Sequence, residues 1–403
     1  MPFRGFDAPV LRALAVLALA QVIGWGTVGL PAIVGRQIAA DLGIDLATVF
    51  AGSSVLYVVM GLWAPVLAKA LPRFGARLMM MSGAALAAPG FVMLALAREP
   101  IVYFAAWAVL GTAGAAMLTT SAYVALNEIA GPQSKSAIGA LMVITGLSSS
   151  IFWPTTAILA DAAGWRATSL VYAAAMILAC LPLYAFGLPR RPADAMGGIA
   201  ATGGAKPASV IRDRQTFFLI VAGIALNAFV TFGFAAILIE LLKAQGLTAT
   251  QAIAFGSTLG LVQISARALD LVGGGRWDGV TTGLVAGVAL PVAMAVMMFG
   301  GGSAWSIAAF ILIYGLGSGA LAVARATIPL AFYDRAAYAE AVAHISLPLN
   351  LISALAPPLL AGLLTAVGAN AVLGLAALCS TTALVLLLLL ARRRPQASRW
   401  IAS

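Results

Sequence analysis

Charged side chains are scarce in this chain of 403 residues. Aspartate, glutamate, lysine and arginine together make up 9% of it, whereas an ordinary soluble protein has about 25%. Hydrophobic residues make up 62%, and the mean hydropathy is +1.04. A soluble fold of this size has too little interior to bury so much apolar surface. The composition therefore excludes a soluble globular protein and predicts an integral membrane protein.

Cysteine and histidine are scarce as well. The two cysteines, Cys180 and Cys379, lie inside apolar runs, and His344 is the only histidine. This argues against a disulfide framework and against a thiolate metal site, and we expect no metal and no cofactor. No phosphate-binding glycine loop opens a helix, and no nucleophile or zinc-protease pattern accompanies the histidine. We therefore predict that the protein is not an enzyme.

Long apolar runs are what the chain has instead. They last 20 residues or more with hardly a charge, whereas a membrane-spanning β-strand shows roughly 10 residues of alternating polarity. About 20 apolar residues let a helix cross the roughly 30 Å of a bilayer core. We predict an all-α integral membrane protein with twelve transmembrane helices. Their expected ranges are 11–34, 46–70, 77–97, 100–126, 137–160, 167–187, 216–241, 249–272, 280–300, 304–332, 340–366 and 369–391.

One long polar stretch, residues 188–215, interrupts these helices. Its arginine, proline and glycine content predicts a solvated linker that divides the helices six and six. The expected domains are an N-terminal six-helix bundle, 1–187, and a C-terminal six-helix bundle with a short basic tail, 216–403.

An internal repeat supports this division. Aligning residues 110–164 with 314–368 without a gap gives twelve identities in 55 positions. The identities include residues that interrupt helices: Gly111 with Gly315, Pro154 with Pro358, and Gly164 with Gly368. Two pseudo-symmetric halves in the same orientation would form a parallel repeat about an axis normal to the membrane.

Basic residues indicate the orientation of the helices. With the N-terminus inside, the inner segments carry seventeen lysines and arginines and the outer loops carry four. This excess predicts a multi-pass protein of the inner (cytoplasmic) membrane with both termini in the cytoplasm. The formal net charge of +10 is scattered along helix ends, so we expect the lipid bilayer and no nucleic acid as a partner.

Basic turns follow the second and eighth predicted helices. One sequence signature runs Gly, three residues of any type, Asp-Arg, one residue of any type, Gly-Arg and a basic residue. The turn after the second helix matches it at Arg73, Gly75 and Arg77, and Pro72 replaces its Asp. A partial counterpart covers residues 275–279. With six plus six helices and Gly-Trp-Arg at 164–166, the chain resembles the major facilitator superfamily over nearly its whole length.

The resemblance implies a secondary transporter whose two bundles pivot about a site at the membrane midplane. It makes the basic turns candidate gating or coupling sites, at Arg73, Arg77, Arg276 and Asp278. The chain also resembles bacterial arsenite-efflux transporters, most closely at Phe152-Trp153-Pro154, residues 266–270, and Tyr314-Gly315-Leu316-Gly317 with Arg325.

Ionisable residues inside membrane helices are costly and are functional candidates by default. Arg325 is expected about 10 Å from the inner end of the tenth helix, as an anion-binding residue or as a brace. Arg267 and Asp270 lie three residues apart on the eighth helix, either as a gating network or as a static brace. Asp161, Glu240 and Glu128 are expected near helix ends, where water reaches them. Proton coupling therefore lacks an obvious carrier, and Asp270 is the best candidate.

His344 follows Glu340 by one helical turn. A histidine can bind and release a proton near neutral pH, and a single histidine on an apolar helix also serves as a neutral packing residue. Both interpretations stay open.

Uncharged polar residues complete the candidate substrate site, although serine and threonine in membrane helices often bond their own backbone. The substrate-binding candidates are Gln21, Trp25, Thr27, Tyr57, Thr119, Thr120, Tyr123, Ser149, Asn227, Gln263, Arg325, His344 and Asn350.

Two embedded arginines against one embedded aspartate favour a small polar or anionic solute as the substrate, with a coupling ion left open. The alternative is an efflux permease for a toxic metalloid or drug. A receptor fits less well, because the linker and tail are too short for a signalling domain. An intramembrane enzyme fits less well, because only Arg267 and Asp270 could serve as its buried catalytic pair. We expect the transporter to act as a monomer.

Overall fold

The computed structural model describes residues 6–189, 214–272, 278–333 and 335–394. These residues form helices and no strand, as the apolar runs predict. The α-helices are α1 (Ala8–Val28), α2 (Leu30–Leu42), α3 (Leu46–Phe74), α4 (Ala76–Leu96), α5 (Pro100–Met117), α6 (Thr119–Ala130), α7 (Ser134–Thr145), α8 (Ser148–Ala175), α9 (Arg214–Ala244), α10 (Ala249–Val272), α11 (Gly279–Phe299), α12 (Ala304–Thr327), α13 (Arg335–Ala366) and α14 (Ala369–Ala391).

Eleven helical runs among the described residues are long and apolar enough to cross a membrane. The chain is therefore a multi-pass helical membrane protein, as predicted. The longest run, Ala137–Gly187, contains two of the twelve expected spans and ends in the π-helical turns Met176–Cys180 and Leu183–Gly187. Inside it, Gly164 has a non-helical backbone with φ 78° and ψ 167°.

Two spans are broken near their middle. In Ala8–Leu42 the break falls between α1 and α2, where Pro31 lacks the N–H needed to continue the hydrogen-bond ladder. In Pro100–Ala130 the break is at Leu118, which has an extended backbone with φ −86° and ψ −153°. Such breaks at membrane depth are tolerated where they are buried in protein or line a cavity. Both broken spans contribute residues to the central cavity described below.

The hydrophobic core consists of three clusters. The largest draws all its buried residues from positions 10–188. The other two come from positions 220–390, apart from Ala32, Leu46, Phe50 and Trp153, which join the second cluster from the first half of the chain. The core thus divides largely at the linker, and these four residues connect the two parts.

Glycines at repeat-related positions allow corresponding helices to pack closely. A Cβ added to Gly111 of α5 would lie 2.8 Å from the Leu56 carbonyl oxygen of α3. One added to Gly315 of α12 would lie 2.6 Å from Cγ1 of Val262 in α10. Small residues that let membrane helices approach in this way are a common basis of their packing.

Candidate functional site

The halves of the chain pack against each other most extensively in two pairs of helices: α3 with α13, and α8 with α10. In the first pair the Ser54 hydroxyl donates to the Ala354 carbonyl. In the second pair the Ser150 hydroxyl donates to the Ser257 carbonyl at 2.6 Å. A Cβ on Gly260 would lie 2.9 Å from the Gly146 carbonyl oxygen, so the backbones of α10 and the α7–α8 segment nearly touch.

A cavity of about 420 Å³ lies among these helices, large enough for a small organic molecule. Both halves line it, and most of its wall is apolar. Its aromatic lining residues are Trp25, Phe50, Tyr57, Tyr123, Trp153 and Phe232. Its polar lining residues include Gln21, Ser53, Thr119, Thr145, Ser148, Ser149, Gln263 and Arg267.

Arg267 is the only charged residue among the described residues that line this cavity. Its Nη1 donates to the Met142 carbonyl at 2.9 Å. Its Nε is buried and has no hydrogen-bond partner in the described part of the chain. A Cβ on Gly146 would lie 3.0 Å from Nη1, so the absence of a side chain there leaves room for the guanidinium.

Arg325 lies beside the cavity instead of lining it. Its Nη2 donates to the Thr231 hydroxyl at 3.3 Å, and its guanidinium lies 5.1 Å from the ring centroid of Phe232. Phe232 makes an edge contact with Tyr57 of the other half, with 5.9 Å between ring centroids. The two arginines are close enough to repel each other. Within the described side chains, no carboxylate pairs with either of them.

Eight of the predicted site residues come together at the cavity: Gln21, Trp25, Tyr57, Thr119, Tyr123, Ser149, Gln263 and Arg267. Several of their donors are already bound within the protein. The Trp25 indole donates to the Thr119 hydroxyl at 3.1 Å, and the Gln21 amide donates to the Met117 carbonyl at 2.8 Å. The Gln263 amide donates to the Ser318 hydroxyl at 2.9 Å.

Other predicted substrate-binding residues lie away from the cavity wall. Thr27 faces the interior of the first half, where its hydroxyl donates to the Gly24 carbonyl at 2.9 Å. Thr120 is exposed, and Asn227 is buried with an Oδ1 that has no partner among the described residues. Asn350 lies at the crossing of α13 and α3, where a Cβ on Gly61 would lie 3.7 Å from its Nδ2. Asp270 and His344 belong to α10 and α13, but their side chains are outside the described part, and Arg276 is outside the described residues.

The described residues of the predicted gating turns make hydrogen bonds, an ion pair and a ring contact within their own half of the chain. Arg73 is exposed and lies 5.2 Å from the ring centroid of Phe74. Arg77 donates to the carbonyls of Tyr184 and Ala185. Asp278 caps α11 through the Thr281 amide at 2.8 Å and pairs with Arg394 at 3.3 Å.

Sequence reasoning did not assign several aromatic residues to the site, notably Phe50, Trp153 and Phe232. Trp153 stood out only within the stretch Phe152-Trp153-Pro154 that resembles arsenite-efflux transporters. Apolar residues are expected all around a membrane helix, so their pattern does not distinguish a cavity wall from a lipid-facing surface.

An ion pair between a buried carboxylate and an exposed arginine also joins the two halves. Arg36 of α2 and Lys243 both bind Glu240 of α9, the lysine at 2.9 Å. Glu240 is only 3% exposed, so the expectation that water reaches this carboxylate is wrong. The sequence gives no sign of Arg36 as the cation that covers it, because the two residues are 204 positions apart.

Comparison with known proteins gives one family and several structural relatives. The family model described as Major Facilitator Superfamily matches residues 14–312. Similar solved structures include a bacterial homologue of the human lysosomal transporter Spinster in its inward-facing, occupied conformation, with a TM-score of 0.70, 16% identity and 96% of each chain covered. The same homologue in its inward-facing, unoccupied conformation gives 0.65, 17% and 96% of each chain.

The human organic anion transporter MFSD10 (TETRAN) is similar as well. Its TM-score is 0.67 at 15% identity, with 94% of this chain and 100% of that chain covered. No curated protein matches this chain. At these identities the solved structures support the fold alone.

Proposed function

The chain belongs to the Major Facilitator Superfamily, and from this premise we propose that it moves a small polar or anionic solute across the membrane by alternating access. The chain is a membrane transporter and not an enzyme. The observation that carries the finer proposal is the cavity between the halves, where Arg267 is the single charged residue among the described lining residues.

The state of this arginine favours a negatively charged solute. A guanidinium half-buried among membrane helices is costly unless an anion or several acceptors compensate its charge. Among the described residues, Arg267 has one carbonyl acceptor and an Nε without a partner, and Arg325 adds positive charge nearby. An anion entering the cavity would supply the missing acceptor and neutralise part of this charge.

We further propose twelve spans in two six-helix bundles. Gly164 and the repeat-related Gly368 share an unusual backbone, with φ 78° and ψ 167° at the first and φ 107° and ψ 178° at the second. Gly368 separates α13 from α14. By the same logic Gly164 separates two spans within the run Ala137–Gly187, which raises the number from eleven to twelve.

The ion pair between Arg36 and Glu240 supports alternating access. It joins α2 to α9 on the side of the protein where both helices have their C-terminal ends. Basic residues are in excess at the opposite ends of the helices, and this favours placing the side with the ion pair outside the cell. The conformation described here would then be closed to the outside, in keeping with the inward-facing states of the Spinster homologue. We propose a monomer in a bacterial inner membrane with both termini in the cytoplasm.

A thermal-shift screen of the detergent-purified protein tests the substrate class. The panel contains small anions, neutral metabolites, arsenite and lipophilic cations. A ligand at 100 times its dissociation constant stabilises the folded state by about 2.7 kcal/mol, which such a screen detects. We expect stabilisation by anions that is lost in Arg267→Gln.

The matched control is Arg98→Gln, which removes an exposed arginine between α4 and α5. Anion binding should survive in this control. Stabilisation by lipophilic cations or arsenite alone would contradict the anion proposal and favour the efflux alternative.

A further inference from the structure

Among the described residues, the cavity offers a bound solute one cationic group and a mainly apolar wall that includes six aromatic side chains. Arg267 supplies the charge, and Arg325 is engaged behind Phe232 with Thr231. A solute with two separated negative charges would therefore place one of them against apolar wall without a cation. Burying an unpaired charge in this way is strongly unfavourable. The cavity thus favours a single negative charge.

The hydrogen bonds of Arg267 indicate which N–H group of its guanidinium lacks an acceptor. Its Nη1 is held by the Met142 carbonyl, and its Nε has no partner among the described residues. The edge of a guanidinium that carries Nε and Nη2 presents two parallel N–H groups, which match the two oxygens of a carboxylate. Tyr123 lines the cavity within electrostatic range of the same guanidinium.

The rest of the cavity fits an apolar body better than an inorganic oxyanion. A phosphate or arsenate has four oxygens, each of which needs donors when it leaves water. The indole N–H of Trp25 and one amide N–H of each of Gln21 and Gln263 already donate to protein acceptors. Aromatic rings, in contrast, gain from contact with a planar apolar group.

We propose that the solute is an organic monocarboxylate with a planar apolar body. Its carboxylate binds the Nε edge of Arg267, and its body lies among Trp25, Tyr57 and Phe232. This inference rests on the proposed function and specifies its substrate class. Phe232 is the residue that links both parts of the site, because it lines the cavity, contacts Tyr57 and lies under the guanidinium of Arg325.

Four probes separate these features by direct binding to the purified full-length protein, measured by calorimetry. Benzoate has the ring and one carboxylate, benzamide has the ring without the charge, terephthalate has the ring and two carboxylates, and phosphate has charge without a ring. We expect benzoate to bind at least tenfold more tightly than each of the other three.

Variants assign the two parts of the site. Arg267→Lys keeps the charge but loses the paired N–H edge, so benzoate affinity should fall at least tenfold. Phe232→Leu should weaken benzoate several-fold and leave phosphate unchanged. Phe299→Leu is the matched control, since Phe299 is 85% exposed at the end of α11 and should change neither. Size-exclusion profiles and ligand-free thermal midpoints establish that each variant is folded.

The outcomes distinguish this inference from the proposed function. Terephthalate or phosphate binding as tightly as benzoate, with dependence on Arg267, would overturn the monocarboxylate class while the anion transporter stands. If benzamide binds as tightly as benzoate, the carboxylate does not contribute to binding and the monocarboxylate class is wrong. Binding of no anion in an Arg267-dependent manner would overturn both proposals.

Discussion

Arg36 and Glu240 form an ion pair that joins α2 to α9 and thereby the first half of the chain to the second. Glu240 is 3% exposed and also binds Lys243 at 2.9 Å within its own helix. Of the two ion pairs that Glu240 makes, the one with Arg36 crosses between the halves and must break when α2 and α9 separate. Removing the Glu240 carboxylate takes away this attraction between the halves, and the Arg36 side chain, which is 66% exposed, remains solvated.

We predict that Glu240→Gln favours separation of the halves on this side. Spin labels at the exposed Ala40 and Ala244 report the distance between α2 and α9. Electron–electron double resonance should show a larger population at long distance in the variant than in the parent.

Lys243→Gln provides the control, because it removes a charge bound to Glu240 without touching the link between the halves. An equal lengthening in both variants, or none in Glu240→Gln, would exclude a latch role for the Arg36–Glu240 pair.

Arg325 is predicted to support transport although it does not line the cavity. Arg325→Ala removes the guanidinium over Phe232 and part of the positive potential near Arg267. Uptake of radiolabelled benzoate into proteoliposomes should fall at least tenfold while the protein remains folded. Thr231→Val removes only the hydrogen-bond acceptor of Arg325 and should have a much smaller effect. Parental uptake in Arg325→Ala would show that this charge is dispensable.

The sequence predicts the fold better than it predicts the site, and the reason is physical. Hydropathy identifies the segments that are more stable in the membrane than in water, and every membrane-spanning helix is such a segment. Polar residues such as Gln21 and Gln263 stand out against the apolar background and do line the cavity. Thr27 stands out equally, yet its hydroxyl bonds the carbonyl of Gly24 beside the break in the first span. Phe232 was missed because an aromatic residue fits lipid, core and cavity alike.

Substitution of two repeat-related glycines tests whether the backbone at the proposed span boundaries requires glycine. Gly164 and Gly368 have φ and ψ values that are essentially restricted to glycine and cost other residues about 1–3 kcal/mol. Gly164→Ala and Gly368→Ala should each lower the thermal midpoint in detergent.

Gly374→Ala is the control, because Gly374 lies inside α14 with open space around its Cβ position. That substitution should be neutral or slightly stabilising, since alanine favours a helix by about 1 kcal/mol over glycine. If Gly374→Ala loses as much stability as Gly164→Ala, the backbone conformation at Gly164 does not account for the loss.

Gly146 is predicted to set the position of Arg267. A Cβ at this position would lie 3.0 Å from Nη1 of Arg267 and 2.9 Å from Cγ1 of Ile264, so the α7–α8 segment or the guanidinium must shift. Gly146→Ala should weaken benzoate binding several-fold by moving the Nε edge away from its carboxylate. Gly139→Ala, in the same segment but facing open space, should leave affinity unchanged. Because neither glycine carries a donor in its side chain, a difference between the two variants would come from the placement of Arg267. Equal affinities would mean that the guanidinium tolerates displacement, and that the fit between its Nε edge and a carboxylate does not determine binding.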